Sequence, residues 1–544
     1  MRIALRLLAP AVTTSLLLSC ATAPTTPEGG GNAAATELVN KAVAAQGGAD
    51  ALSLIRTLSV KASGTFWEPE QSVKPGGEPR LAGEATIATT RDLDARAARI
   101  EWVRKYVYPA PREYRFTEIV TPAAGQVQGI DTTARTKQSL DSNPPQHTMS
   151  GVRVAATQRE LLRTSPRLLL EAQKSPSAVS AIGDQSAGAS TFPAVKYQAG
   201  DVAFLVLFDR ATGLPARIRT LDYDNIHGDS TYDLVLDDWR DVGGVRIAHA
   251  QRYELNGTQI ARIRYDEVQV NPTVAANALE LPAEARAASA KPTGPVPYQW
   301  VIRRPNIGTY LDSDAISYDP QANPGGLKLV EVAPGVQHVV GGSHNSLIVD
   351  LGDAIAVVDA PVGEAQSRFT IDSAKAKYPG KPIKYLVLTH HHMDHAGGAR
   401  SYVAEGATLV VGAGNGEHFR RALAASDRLG PGVLAQNPRR AEIMEVADKA
   451  VLGTGSRTLE VYKLDNPHVE SMLMAYVPSA KVGFVADVWS PVRDKLGDAP
   501  TPGQAAVVAG VKKAGIAPER FAGGHGGVAD YGPLAALAER SAKR

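Results

Sequence analysis

The stretch "LVLTHHHMDHAGG", Leu386 to Gly398, decides how the C-terminal half of the chain is read. It sets four histidines and an aspartate within six consecutive residues, directly behind an apolar run. An ordinary strand-to-helix loop needs no imidazole, and crowding imidazoles together costs packing. The run Tyr385 to Leu388 is continuously apolar, the pattern of a strand buried on both faces. A loop leaving such a strand sits at the sheet edge, where open α/β architectures place their ligands. In an extended loop, residues two apart project to the same side, so His390 and His392 can converge on one metal ion. Asp394 and His395 begin the turn into a helix and face a second position a few ångströms away.

Imidazole nitrogen and carboxylate oxygen suit Zn²⁺, but one ion takes three or four protein ligands. The loop offers only two per ion, so a metal centre requires more His or Asp at other strand ends. The downstream sequence has them. His468 lies in "DNPHVES" just before the apolar strand "MLMAYV", and Asp487 ends the strand "VGFVAD". His525 lies in "FAGGHGG", where glycines let backbone pass close to a crowded site. Nine of the 12 histidines fall in this last part of the chain.

Thr389-His390-His391-His392-Met393-Asp394-His395, followed by His468, Asp487 and His525, resembles the metallo-β-lactamase superfamily. The likeness runs from about Leu327 to the C-terminus, and "NSLIVDLGDAIAVVDAP" (345–361) fits the strands that precede the loop there. The resemblance implies an αββα sandwich holding two ions. One would be bound by His390, His392 and His468, the other by Asp394, His395 and His525, with Asp487 bridging them. Asp359 stands where the superfamily has a carboxylate that fixes ligand orientation. Two departures bear on substrate contacts while leaving the ligand atoms in place. "NPHVES" lacks the small residues that usually follow its histidine, and "FVAD" replaces the commoner "GD" ending. The other histidines are expected away from the ions. His391 points to the opposite side, behind the ligands or into solvent; His338 and His344 read as loop or core residues, and His418 as exposed on a helix.

Two divalent ions about 3.5–4 Å apart can share a water and lower its pKa toward neutrality. The expected reaction is hydrolysis by that bridging hydroxide, with Asp394 and Asp487 as catalytic residues that hold it and take its proton. No G-x-S-x-G elbow offers a serine nucleophile. The expected cofactor is Zn²⁺, two per chain, with iron or manganese as alternatives. The expected substrate is a small ester, lactone, thioester or amide-like molecule. A β-lactamase is one alternative, although several of those enzymes use a cysteine ligand that this chain lacks. An iron-dependent oxidoreductase of the same superfamily is another, although no flavodoxin-like or rhodanese-like partner domain is present. A lipid-binding envelope lipoprotein is the third.

The rest of the chain frames that centre. A length of 544 residues predicts roughly two to four domains. With 44% hydrophobic and 21% charged residues the composition is that of a soluble globular protein. A net charge of +2 and the absence of a basic run argue against nucleic acid as a partner. "MRIALRLLAPAVTTSLLLSC" has Arg2 and Arg6 before an apolar stretch too short to span a bilayer, and reads as a signal segment, residues 1–19. Leu17-Leu18-Ser19-Cys20 resembles a bacterial lipobox, which implies lipidation at Cys20, the one cysteine of the chain. Ala21 rather than Asp after it implies, by resemblance to Gram-negative lipoproteins, an outer-membrane anchor facing the periplasm. A single cysteine also excludes an intramolecular disulfide.

A flexible tether, residues 20–35, precedes a mostly antiparallel β domain, residues 36–275, entered through two short helices. Hairpin turns are expected at Ala211-Thr212-Gly213, Gly243-Gly244 and Asn256-Gly257. "FDRATGLPARIRTLDYD" and "DDWRDVGGVRIAH" resemble the half-barrel of the LolA/LolB-like lipoprotein carriers, which can hold acyl chains. A Pro/Ala-rich linker, residues 276–325, leads to the catalytic domain, residues 326–544, so the chain as a whole is α/β. Nothing in the sequence specifies an oligomeric state.

Overall fold

The computed structural model describes residues 28–108, 110–131, 145–275, 277–289 and 326–543. The signal segment, Cys20 and most of the linker lie outside these residues. Helix Glu28–Ala45 begins inside the stretch expected to be a flexible tether, so the end of that stretch is helical. A short helix, Ala49–Ser53, follows it and leads into the first strand.

Thirteen strands form one antiparallel sheet. The chain lays down one half and ends it at the edge strand Gln146–Thr148. It then crosses through helices Gly151–Arg163 and Leu168–Lys174 and starts the second half at the opposite edge, Val179–Ala187. The first strand, Thr57–Glu68, pairs with the last, Thr258–Val270, with Leu58 opposite Val270 and Phe66 opposite Ala261. The halves therefore join at the centre and the two ends of the sheet do not pair with each other. Along Thr57–Glu68 every second residue is buried, as expected of a sheet with one covered face. The hairpins turn where the sequence places them, between Val202–Phe208 and Pro215–Asp224 and among Gly228–Val242, Val245–Leu255 and Thr258–Val270. At the last of these turns, Asn256 (φ 49°) and Gly257 (φ 82°) both take the left-handed backbone that a tight hairpin demands.

Helix Gly151–Arg163 packs against the sheet, and its attachment is ionic. Arg153 pairs with Glu118 at 2.6 Å and Asp131 at 2.8 Å, all three buried. Arg159 grips both oxygens of Asp222. Arg163 donates to the carbonyls of Ile218 and Tyr232 and lies 4.3 Å over the Tyr232 ring. Between helix and sheet lies a cavity walled by Ile87, Ile100, Trp102, Leu161, Tyr253 and Ile263.

The C-terminal domain has two sheets. Seven strands, from Lys328–Ala333 to Glu442–Val446, form the first, and six, from Lys449–Thr454 to Val528–Asp530, the second. Leu347, Val358, Val387 and Val410 from the first interlock with Leu459, Leu473, Phe484 and Ala522 from the second. Helices Glu364–Lys377, Ala399–Glu405 and Gly416–Ala424 supply the residues that cover the outer face of the first sheet, including Ile371, Tyr402 and Phe419. Pro502–Ala514 and Gly532–Ala542 cover the second through Val507, Val511 and Leu534. The result is the expected helix–sheet–sheet–helix sandwich. Strands such as Ile355–Val358 and Met472–Val477 are buried on both faces, which is why they read as unbroken apolar runs rather than alternating ones.

Candidate metal centre

The topology gathers the chemistry at one rim. Strands Ile355–Val358 and Ile383–Val387 run parallel, so Asp359 and the histidine loop leave the same edge. Ser346–Asp350 runs antiparallel to Ile355–Val358, which brings His344, just before it, to that edge. In the second sheet Val482–Val485 and Arg520–Gly523 are parallel and end in Asp487 and His525. Met472–Val477 runs against Val482–Val485, so His468 ahead of it arrives there too.

Two groups of donors result. Ring nitrogens of His390, His392 and His468 and an oxygen of Asp487 lie within 4.8 Å of one another. Ring nitrogens of His344, His395 and His525 form a second group with the same spacing. Asp487 joins them with one oxygen each. Oδ2 stands 2.9 Å from His468 Nε2 and 3.4 Å from His390 Nε2. Oδ1 stands 3.0 Å from His395 Nε2 and 2.7 Å from His525 Nε2. Atoms bound to one ion at about 2.1 Å sit about 3.0–3.4 Å apart, so donors at these separations could share an ion with little movement. The buried His390 Nε2 has no hydrogen-bond partner among the described residues, a cost that a cation would remove. The donor set fits metal ions.

The outward nitrogens are held as metal-binding histidines require. His395 Nδ1 meets Asp359 at 2.9 Å, His525 Nδ1 meets the Ser343 carbonyl at 2.9 Å, and His390 Nδ1 meets Thr389 Oγ1 at 3.1 Å. Asp359 also accepts from the Thr389 amide, so one carboxylate ties the histidine loop to the His395 ring. Asp359 (φ 63°) and Asp487 (φ 60°) both hold left-handed backbone, a strain tolerated where a site over-determines the chain. Gly524 passes so close that an added Cβ would meet Ala486 Cβ at 2.7 Å, which bears out the close approach expected of the glycines around His525.

Burial pushes His390 down to about 4, helped by neighbouring His395, so its ring is neutral and able to ligate. Burial alone would raise Asp487, but His395, His525 and His468 hold it well below the usual carboxylate range. Burial would likewise lower His395, yet Asp487 and Asp359 raise it well above the ordinary value. Without a cation, the two carboxylates flanking the ring favour its protonated form. Divalent-metal uptake by metal-stripped protein is expected to release protons, and affinity to fall as pH falls. Titration at pH 7 in weakly buffered solution checks this; uptake with no acidification would contradict it.

The structure corrects three expectations. His344 is not an ordinary loop residue but stands in the second group, its Nε2 3.2 Å from Asp394 Oδ2. Asp394 lies outside that tight group and reaches it through His344. His418 is half-buried rather than exposed, edge-on to both His391 and His227. His391 is buried behind the ligands, and His338 is a core residue bound to the Gly523 carbonyl, as expected.

Four residues of the N-terminal domain also reach the centre, and nothing in the sequence pattern marked them. Gln71, in the single turn Pro69–Gln71, donates to Asp394 Oδ1 at 2.6 Å and accepts from the Tyr108 hydroxyl at 2.8 Å. The Ser72 carbonyl meets His392 Nε2 at 3.0 Å. Arg80 donates to the His468 carbonyl at 2.9 Å and lies over the Tyr108 ring, which in turn stacks on His468. Burial, with Asp487 and Asp394 nearby, pushes the Tyr108 hydroxyl up, so it remains a donor. The centre is thus built across two domains.

A profile of the Metallo-beta-lactamase superfamily matches residues 339–528. No curated protein matches the chain in sequence. Similar solved structures include a metallo-beta-lactamase from Pontibacter korlensis, with 19% identity over 39% of this chain and 98% of that one and a TM-score of 0.29. The sec-alkylsulfatase Pisa1 from Pseudomonas sp. has 20% identity over 39% of this chain and 40% of its own, at a TM-score of 0.29. The Flv1 flavodiiron core from Synechocystis sp. PCC6803 has 16% identity over 40% and 60%, at 0.31. With the motif-bearing loops on one rim of an αββα sandwich and the profile spanning them, the C-terminal domain of this chain belongs to the metallo-beta-lactamase superfamily.

Proposed function

We propose that the protein is a dinuclear metal-dependent hydrolase of small ester, lactone, thioester or amide-like molecules. The observation that carries this reading is Asp487, whose two oxygens face two separate donor groups. Two zinc ions held there would supply Lewis acidity and lower the pKa of a water shared between them. The residues supply the rest. His390, His392 and His468 hold one position, and His395 and His525 the other. Asp487 spans both and keeps them close. Asp394, ionised and anchored by Gln71, would take the proton released as water adds to the substrate carbonyl carbon and return it to the departing alcohol, thiol or amine as the acyl C–O, C–S or C–N bond breaks. The Tyr108 hydroxyl and Gln71 amide wall the Asp394 side and limit which substrates fit.

The test uses the chain from Ala21 onward. About two equivalents of divalent metal are expected on elemental analysis, with cleavage of at least one class in a panel of esters, lactones, thioesters and β-lactams. Chelation should stop the reaction and added Zn²⁺ restore it. A protein that takes up no metal and leaves the whole panel intact would refute the reading.

The same reading places the enzyme in the bacterial envelope, anchored through a lipidated Cys20, on the strength of the N-terminal sequence. Cys20→Ala is expected to move it from the membrane pellet to the soluble fraction on cell fractionation. Unchanged pelleting would remove the anchor.

A further inference from the structure

We propose that His344 is a direct ligand of the second cation, which gives that position four protein donors: His344, His395, His525 and one oxygen of Asp487. The assignment rests on the two-cation reading above and extends the ligand set beyond the motif residues.

Two observations carry it. A His344 ring nitrogen stands within 4.8 Å of those of His395 and His525, a closeness Asp394 does not itself reach. His344 Nδ1 pairs with Ser343 Oγ at 2.7 Å, the outward support that His390, His395 and His525 also receive. Ser343 serves two rings at once, Oγ for His344 and the carbonyl for His525.

The backbone holds His344 in place before any ion arrives. Its carbonyl accepts from Gln366 at 2.8 Å. Its neighbour Asn345 is stitched to the loop bearing His525, by its amide to Gly524 and by its side chain to Gly523 and Gly526. Rings so fixed converge on one point without rearrangement.

The competing account is that His344 only donates a hydrogen bond to Asp394. His344→Gln separates the two, because the amide keeps a donor and loses the imidazole lone pair. Full-length, metal-stripped protein would be titrated with Co²⁺ against a competing chelator while its visible absorption is recorded. Wild type should take up two equivalents. In His344→Gln the second equivalent should bind at least about 10-fold more weakly, with its absorption band changed and the first equivalent intact. His344→Asp, which retains a ligand atom, should recover most of the affinity with a shifted band. A Gln variant whose second equivalent keeps wild-type affinity and spectrum overturns the assignment while the two-cation reading stands. If that variant does not fold, an Asp variant with an unshifted band overturns it equally. A wild-type chain that takes up no Co²⁺ overturns the two-cation reading itself.

Discussion

Asp487→Ala is expected to abolish hydrolysis, lowering turnover of any cleaved substrate by at least about 1,000-fold. The carboxylate faces both donor clusters, with oxygens 2.7–3.4 Å from four imidazole nitrogens. Removing it takes a ligand from each position and the negative charge that keeps two cations close together. Elemental analysis should show loss from both positions, not one. Asp394→Ala offers the contrast, because it touches only the second group and should cost one equivalent. Far-UV circular dichroism should be unchanged in both. An Asp487→Ala protein that keeps two metals and wild-type turnover would remove the bridging role.

The largest expected effect on stability lies in the other domain. Arg153→Ala should destabilise the N-terminal domain by about 3–5 kcal/mol, because it strands two buried carboxylates, Glu118 and Asp131. Glu118 also accepts from Trp102 Nε1 at 2.8 Å, so the loss propagates into the sheet. Urea unfolding would register it as a lower midpoint at unchanged slope. A midpoint within experimental scatter of wild type would show that the ion pairs contribute no net stability. Replacing all three charged residues together with apolar side chains should restore much of the loss, since burying charges costs more than burying hydrocarbon.

The same helix shows where reading a sequence stops. Gly151–Arg163 is inside the domain, yet its buried face includes Arg153, Arg159 and Arg163. Hydrophobic periodicity marks a buried helix only when its inner face is apolar. Here the partners that make arginine tolerable, Asp131 and Asp222 among them, come from distant strands. The hairpins were legible for the opposite reason. Gly243-Gly244 and Asn256-Gly257 encode their turns within two residues, because positive φ is a local steric property. Helix Pro502–Ala514 is bounded just as locally, by a capping box from Thr501 to Gln504.

What the sequence by itself determined is the chemistry of the C-terminal rim: its fold, and the motif histidines and aspartates that gather there. Those residues lie in short loops beside apolar strands, so local spacing already sets the direction in which they point. Only the tertiary structure decided the company they keep. His344 lies some fifty residues upstream of the histidine loop and Gln71 more than three hundred, and each meets Asp394 through contacts no local pattern encodes. Side-chain type and spacing can be read along a chain; proximity across a domain boundary arises only when two separately folded surfaces pack together.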